Sequence, residues 1–376
     1  MRAELWRPEV IGRNETMSKT ILIISNASNG LYLFRRELIE RLVREYKVEI
    51  LAGDTGSVDT LRKMGCKVTV CEIERRGTNP MKELQLLQYY KKVIRESKPS
   101  MVFTYTVKPN IYAGMVCASL GIPYVANITG LGTAIEQNGP LQKPMLFLLR
   151  LGLRKAQMVF FQNTENRDFL LKHKVIQGAY DLIPGSGVNL ERFPLLDYPA
   201  GETVEFAFIS RVLKEKGIDQ YLDAAKVIRE KYPYTRFHVC GGADKEYEKL
   251  LEELTEQRII SYHGRISDVA GMHSISCCTI HPTYYPEGMS NTLLESCACG
   301  RPIITTDRPG CREIVEDGVN GFVVKQQDSR DLIEKIEHFL SLDWEERRKM
   351  GLAGRAKVER EFDRKIVVSK YMEQLR

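Results

Sequence analysis

Short apolar runs and longer amphipathic segments alternate along residues 20–162. Continuous apolar runs such as TILIIS at 20–25 are typical of strands covered on both faces of a parallel sheet. The segments between them repeat apolar residues every three or four positions, which is the period of an amphipathic helix. The predicted strands are 20–25, 47–52, 67–73, 100–105, 123–128 and 158–162, and the predicted helices are 31–45, 79–97, 109–120 and 141–155. This alternation predicts βαβ units and a doubly wound parallel sheet.

The same pattern restarts after a Pro- and Gly-containing linker at 193–201. Its predicted strands are 205–210, 235–241, 259–263, 278–281, 302–306 and 319–325, and its predicted helices are 218–231, 245–256, 291–299 and 329–340. We therefore expect an α/β protein with two Rossmann-like domains and a cleft between them. The expected organisation is a disordered leader or vector-derived segment at 1–16, a first domain at 17–195, a second at 196–350, and a C-terminal helix at 351–376. That helix either stays on the second domain or packs back on the first.

Composition narrows the functional classes. A net charge of +6 and a pI near 8.7 over 376 residues are too weakly basic to indicate nucleic-acid binding. The nine cysteines are not spaced as a zinc site and lie mostly in apolar runs, which is typical of reduced thiols in the cytoplasm. No uncharged apolar run reaches 18 residues, so no transmembrane helix is predicted.

The stretch 280–310 holds the most specific candidate chemistry. Glu287 lies before a predicted helix and Glu295 lies within it. The free backbone N–H groups at the helix start, on Gly288, Met289, Ser290 and Asn291, would form an anion site. Carboxylates beside an anion site suit a ligand that carries both phosphates and hydroxyls, such as a sugar nucleotide. The alternative is that Glu287 caps the helix and Glu295 lies on a solvated face.

Three further loops follow predicted strands. Arg211 and Lys216 flank a loop after the first strand of the second half, and a guanidinium with an ammonium suits a diphosphate. Arg265 and Ile266 follow another strand, where the backbone could meet a base. Gly30 lies in a polar loop after the first strand, which is a weak phosphate-loop signal. Solvated loops and plain turns are the alternatives.

These pieces resemble one family. FISRVLKEKGID, PEGMSNTLLE and CACGRPIITTDRPGCREIVEDGVNGFVV are similar to the second domain of retaining GT-B glycosyltransferases of family 4. In the first half, TYTVKPNIYAG, ANITGLGTA and LIPGSGVNLERF resemble a narrower branch. That branch contains bacterial enzymes that add amino sugars or related hexoses to undecaprenyl-diphosphate-linked saccharides for glycoprotein, capsule or O-antigen assembly.

The resemblance implies roles for individual residues. Arg211 and Lys216 would hold the diphosphate of a UDP-sugar donor and neutralise the leaving group. Glu287 would contact the sugar hydroxyls and Glu295 the ribose. The resemblance also implies donor contacts for Gly30, Asn291 and Thr292. The other donor-side candidates follow from their positions after a strand or at the helix start, and they are Arg265, Ile266, Gly288, Met289 and Ser290. The chain departs from the family pattern at Thr129, where many members carry a histidine. The basic pair can replace a metal ion, so neither a cofactor nor a metal is expected.

Basic residues in the helices of the first half are interleaved with large apolar residues such as Phe34 and Phe147. One interpretation is core helices with a solvated basic side. The other is an anionic-membrane surface beside a polyprenyl-diphosphate acceptor, with the enzyme peripheral on the cytoplasmic face of the membrane. The acceptor-side or membrane-side candidates are Arg35, Arg36, Lys108, Thr129, Arg150 and Arg154. Functional alternatives are a nucleotide-sugar epimerase of the same fold and a non-catalytic nucleotide-sugar-binding subunit.

Overall fold

Two fully parallel sheets, each flanked by helices, form the two halves of the protein. The computed structural model describes residues 19–71, 79–132, 135, 139–286 and 288–376. The first sheet has the strand order β3-β2-β1-β4-β5-β6-β7. Its strands are β1 (Thr20–Ser25), β2 (Lys47–Ala52), β3 (Lys67–Val70), β4 (Met101–Tyr105), β5 (Tyr124–Ile128), β6 (Met158–Phe161) and β7 (Tyr180–Leu182). Its helices are α1 (Ser28–Leu42), α2 (Val58–Lys63), α3 (Pro80–Ser97), α4 (Val107–Leu120), α5 (Gln142–Leu153) and α6 (Thr164–Lys172).

The second sheet has the strand order β10-β9-β8-β11-β12-β13. Its strands are β8 (Val204–Ile209), β9 (Thr235–Cys240), β10 (Ser261–Tyr262), β11 (Cys278–His281), β12 (Ile303–Thr306) and β13 (Gly321–Val324). The helices that follow are α7 (Ile218–Lys231), α8 (Lys245–Glu256), α9 (Val269–Ile275), α10 (Asn291–Ala298), α11 (Ser329–Ser341), α12 (Trp344–Glu361) and α13 (Arg364–Glu373). The predicted architecture of two doubly wound α/β domains is confirmed.

The two faces of the first sheet are covered by different helices. Helix α1 packs with α13 over Ile21 and Ile23 on one face. Helices α3, α4 and α5 cover Leu22 and Ile24 on the other, with α4 packed between α3 and α5. Side chains of successive strand residues point to opposite faces, so both faces of β1 are apolar and buried.

The chain crosses between the domains twice. After β7, Val188 and Phe193 pack in the same apolar cluster as Leu293 and Leu294 of α10, so the second domain's packing begins before the predicted boundary at 195. Helix α12 extends beyond residue 350 while remaining against the second domain. Only α13 crosses back, where the fully buried Tyr371 lies in the core of the first domain.

Several elements were not predicted from the pattern. The edge strand β7 and the short helices α2, α6 and α9 were missed, and β10 is only two residues long where five were expected. These elements are too short for their periodicity to be detected. No helix in the described ranges has both the length and the hydrophobicity needed to cross a membrane.

Candidate active site in the interdomain cleft

The loop between β11 and α10 touches the first domain directly. Asn163, at the end of β6, donates from Nδ2 to the Gly288 carbonyl oxygen across 2.8 Å. A Cβ added at Gly288 would lie 2.3 Å from both Gln162 Oε1 and the Thr129 carbonyl oxygen, so only glycine allows this approach. The carboxyl ends of the two sheets therefore meet at this loop, as expected for a ligand cleft in open α/β folds.

The two predicted diphosphate cations converge on one aromatic ring. Arg211 Cζ lies 5.7 Å from the ring centroid of Tyr285, and Lys216 Nζ lies 4.7 Å from it. Lys216 is 8% exposed, whereas Arg211 is exposed. Cations over an aromatic face are attracted by its quadrupole. Tyr285, which sequence reasoning did not single out, therefore holds two positive charges at the mouth of the cleft.

Backbone contacts fix the basic loop against the loop after β11. Lys216 ends a short 3-10 turn, and Gly217 follows it with a φ of 77°. A Cβ at Gly217 would lie 2.1 Å from the Pro282 carbonyl oxygen. The Glu215 carbonyl oxygen accepts from Tyr284 N across 2.9 Å and from Thr283 Oγ1 across 3.2 Å. The position of Lys216 is thus set by long-range contacts with the β11 loop.

The start of α10 offers fewer free N–H groups than predicted. The Ser290 N–H donates to the Gly310 carbonyl oxygen across 2.8 Å, so it is not available to an anion. Thr292 Oγ1 donates to the Ile209 carbonyl oxygen at the end of β8, across 2.9 Å. The N–H groups of Asn291 and Thr292 have no acceptor among the described residues, and Asn291 Oδ1 is buried without a partner there. The predicted anion site therefore loses the Ser290 N–H and keeps those of Asn291 and Thr292 in the first turn of the helix.

Glu295 lies in the second turn of α10, as predicted. Burial raises the pKa of its carboxyl to about 7, although the positive charges of Arg192 and Arg364 oppose the rise. No hydrogen bond to this carboxylate is formed by the residues that the structure describes. A partly buried carboxylate with unused acceptor capacity is suited to a ligand that brings hydroxyl donors.

Two other predicted contacts of this loop have different surroundings. Glu287 lies outside the described residues. Met289 is 6% exposed and packs in the apolar cluster of Val188 and Phe193. A Cβ at Gly185 would lie 2.4 Å from Met289 Cβ, so this side chain seals the domain contact. The Met289 side chain therefore faces the apolar cluster, and only its backbone N–H remains a candidate contact for the donor.

The remaining donor-side candidates lie at strand ends. Arg265 is exposed, and its side chain crosses the Gly242 backbone at the end of β9, where a Cβ would lie 2.7 Å from Arg265 Nε. Ile266 packs on the small cluster around Ile209. Gly30 lies in the first turn of α1 and not in a loop, because α1 begins at Ser28.

The acceptor-side candidates do not form one surface. Arg35 is 4% exposed and stacks on Tyr105, with Cζ 5.2 Å from the ring centroid, so it is not available to a membrane. Arg36 is exposed on α1 and pairs with Glu40. Arg150, in the last turn of α5, and Arg154, its C-cap, are exposed on the opposite face of the first sheet. The prediction of a joint patch is therefore wrong.

Lys108 and Thr129 lie nearer the cleft. Lys108, in the first turn of α4, forms an ion pair with Glu83 at the start of α3. Thr129 follows β5 and lies against Gly288 through its backbone. Beside them, Thr106 links β4 to α4 with a φ of 74°, which is strained for a β-branched residue. Such strain at a strand end facing the cleft has no signal in the sequence.

No group of three His, Cys, Asp or Glu side chains in the described ranges is arranged to hold a metal ion. The positive charge at the interdomain cleft comes from Arg211, Lys216 and the start of α10. Together with Glu295, these groups can bind an anion and hydroxyls in one ligand.

Two family models match consecutive parts of the chain. The model described as "Glycosyl transferase 4-like" matches residues 20–163, and the model described as "Glycosyl transferases group 1" matches residues 199–357. The first corresponds to the first domain up to the end of β6, and the second to the second domain with α12.

One similar protein and one similar solved structure match the chain over more than nine tenths of its length, and another relative matches about half of it. The chain is 25% identical over 370 residues to an N,N'-diacetylbacillosaminyl-diphospho-undecaprenol alpha-1,3-N-acetylgalactosaminyltransferase of Campylobacter jejuni, covering 93% of this chain and 96% of that protein. It is 30% identical over 208 residues to the putative glycosyltransferase EpsD of Bacillus subtilis, covering 51% of this chain and 54% of that one. The crystal structure of Anabaena HepE in complex with UDP and glucose superposes with a TM-score of 0.77 at 16% identity, covering 95% of this chain and 99% of that one.

Proposed function

This chain belongs to the family 4 glycosyltransferases of the GT-B fold, and we propose that it moves a hexose or N-acetylhexosamine from a UDP-sugar to a saccharide carried on a lipid diphosphate. The acceptor class is carried by the likeness to the Campylobacter jejuni enzyme, whose name specifies a diphospho-undecaprenol substrate. The product would enter capsule, glycoprotein or O-antigen assembly.

The observation that carries the donor assignment is the convergence of Arg211 and Lys216 over Tyr285. In this proposal the two cations neutralise the donor diphosphate beside the first turn of α10. The Glu295 carboxylate then accepts from ribose hydroxyls one turn further along the helix. Preorganised charge at the departing group is the largest contribution that such a site can make to catalysis.

We further propose retention at the anomeric carbon. The acceptor oxygen would bond to C1 on the face from which the diphosphate leaves, while the bond from C1 to the phosphate oxygen breaks. The electron pair of that bond stays on the diphosphate, and the acceptor hydroxyl proton passes to a departing phosphate oxygen. This route needs no side-chain nucleophile, and its developing negative charge faces Arg211 and Lys216.

One experiment separates the proposed activity from its alternatives. The protein is screened with UDP- and GDP-sugars for thermal stabilisation, and each stabilising donor is then incubated with and without a polyprenyl-diphosphate saccharide. Transfer only with acceptor, with the donor's anomeric configuration kept in the product by NMR, is expected. A changed sugar without acceptor would indicate an epimerase, and stabilisation without turnover in either case would indicate a binding subunit.

We also propose that the enzyme is peripheral on the cytoplasmic membrane face, with a surface that differs from the one expected from sequence. Crossover helices run antiparallel to the strands of their sheet. Helices α3 and α5 therefore both begin at the carboxyl ends of the strands, where the cleft lies. Met81 (65%) and Leu84 (54%) are exposed near the start of α3. Leu141 (50%), the N-cap of α5, and Phe147 (61%), in its second turn, are exposed as well. Phe147 lies one turn before the exposed Arg150, and apolar side chains next to a basic residue are typical of an interfacial surface.

The test uses charge reversals on the two faces of the first sheet. The variant Arg150→Glu/Arg154→Glu should bind anionic vesicles less at low salt, because each basic group near such a surface contributes about 1 kcal/mol. The variant Arg36→Glu/Arg44→Glu makes the same charge change beside α1 and should co-sediment like the wild type. Equal losses in both variants would mean that net charge, and not this surface, governs binding.

A further inference from the structure

One side chain of the first domain reaches across the cleft to hold the donor-side loop. Asn163 is 2% exposed, and its Nδ2 donates to the Gly288 carbonyl oxygen across 2.8 Å. Its Oδ1 accepts from the Asn166 N–H across 2.8 Å, which fixes the amide orientation at the start of α6. Asn163 therefore links a rigid element of the first domain to the backbone two residues before Ser290, the N-cap of α10.

A second line of buried polar groups lies behind this contact. Tyr371 of α13 accepts from Asn127 Nδ2 across 2.6 Å, and Asn127 Oδ1 accepts from Gln162 Nε2 across 3.4 Å. Gln162 is 6% exposed, and its Oε1 lies where a side chain on Gly288 would collide with it. The returning C-terminal helix thus supports the surface on which Gly288 rests.

The donor-binding groups, by contrast, are held within the second domain. Thr292 is bonded to the end of β8, Lys216 is fixed by the β11 loop, and Ser290 is bonded to Gly310. Nothing in these contacts orients the second domain toward the first. The hydrogen bond from Asn163 to Gly288 does orient the two domains. It joins the carboxyl ends of the two sheets, and in the proposed reaction the acceptor lies between them.

We propose that Asn163 is a positioning residue that holds the β11–α10 loop against the first domain, so that a donor bound by the second domain is aligned with the acceptor. This inference rests on the proposed function for its kinetic readout. It assigns Asn163 no contact with the substrate. Its effect should therefore appear in the transfer step and not in nucleotide binding.

The test compares two asparagines with matched hydrogen bonds. Asn320 is 1% exposed, donates from Nδ2 to the Ile314 carbonyl oxygen across 2.9 Å and accepts from the Glu316 N–H across 2.7 Å, all within the second domain. Asn163→Asp and Asn320→Asp each keep the acceptor and lose the donor. Leaving a buried carbonyl without its donor should cost transfer about ten- to one-hundred-fold in kcat for Asn163→Asp.

In the same variant, the calorimetric Kd for free UDP should stay within about twofold of the wild type. Asn320→Asp should reduce stability but keep both kcat and the Kd. Asn163→Ser, which retains a donor, should recover part of the lost kcat. Unchanged kcat in folded Asn163→Asp, or UDP affinity lost in proportion to kcat, would overturn the proposal.

A second variant approaches the same contact from the other side. Gly288→Ala puts a methyl group against Gln162 and Thr129. The double variant Gly288→Ala/Asn163→Asp should lose no more kcat than the worse single variant, because both substitutions break the same contact. Additive losses would overturn the shared role. Small-angle scattering gives a readout independent of turnover, since both variants should enlarge the radius of gyration and Asn320→Asp should not. If the wild type transfers from no nucleotide sugar, the proposed function fails while this scattering comparison still decides whether Asn163 closes the cleft.

Discussion

The Glu295→Gln substitution should change how the stability of the protein depends on pH. Burial raises the pKa of the Glu295 carboxyl from 4.5 to about 7 in the folded protein. Each pKa unit corresponds to about 1.4 kcal/mol, so the ionised carboxylate destabilises the fold by about 3 kcal/mol. The folded state binds this proton more tightly than the unfolded state does. The stability contributed by the group is therefore fully present below about pH 4.5 and is lost as the pH rises to about 7.

Urea unfolding at pH values from 5 to 8 measures this effect. Relative to the wild type, Glu295→Gln should gain about 2–3 kcal/mol in the free energy of unfolding between the two ends of that range. Glu256→Gln, which removes an exposed carboxylate at the end of α8, is the control for the loss of one charge. A difference between wild type and Glu295→Gln that does not vary with pH would refute the reasoning, because the carboxyl would then titrate alike in both states.

The same carboxyl should link UDP binding to protonation. If Glu295 accepts from ribose hydroxyls as a carboxylate, UDP binding near pH 6 must release its proton. Calorimetry in two buffers with different ionisation enthalpies should then show a larger difference in apparent binding enthalpy for the wild type than for Glu295→Gln, because the terminal phosphate of UDP, with a pKa of about 6, contributes alike to both proteins. The same difference in both proteins would remove Glu295 from the ribose site.

Three other substitutions or treatments test the site and its support. Lys216→Met should lower the transfer rate about a hundredfold or more, because one preorganised charge partner is lost, whereas Lys214→Met on the exposed side of the same turn should not. Transfer should persist in excess EDTA, since Arg211, Lys216 and the start of α10 supply positive potential; a loss restored by Mg²⁺ or Mn²⁺ would contradict this. Arg301→Met should lower the free energy of unfolding by about 3 kcal/mol or more, because the fully buried guanidinium donates to the carbonyl oxygens of Leu196, Asp197 and His273. Urea titration measures this free energy of unfolding, and a decrease below about 1 kcal/mol would mean that water replaces the hydrogen bonds of Arg301.

Local pattern determined which segments become strands and helices. The run at 20–25 is β1, and the amphipathic segment at 218–231 is α7, with the predicted bounds. Periodicity predicts these elements because the spacing of apolar residues shows whether one face or both faces of a helix or strand will be buried. The placement of Arg211 and Lys216 at a strand end followed from the same pattern, since parallel strands present their carboxyl ends at one edge.

Long-range packing decided which side chains of different elements meet, and no local pattern in the sequence predicts those contacts. Tyr285 meets Lys216 only because Gly217 lets the two loops approach within van der Waals contact of each other. Arg35 looked like a surface residue beside Arg36, yet α1 turns it inward onto Tyr105. The basic residues of α1 and α5 were grouped by composition, but the two helices cover opposite faces of one sheet.

The contact between the two domains is the clearest example of a feature that local sequence patterns do not predict. Asn163 and Gly288 are separated by 125 positions in the chain and meet only when both sheets are folded and α13 has returned to the first domain. The sequence by itself determined two doubly wound halves and the chemistry at their strand ends. The tertiary structure alone decided which of those side chains face one another, because that depends on contacts between elements and not on the periodicity within them.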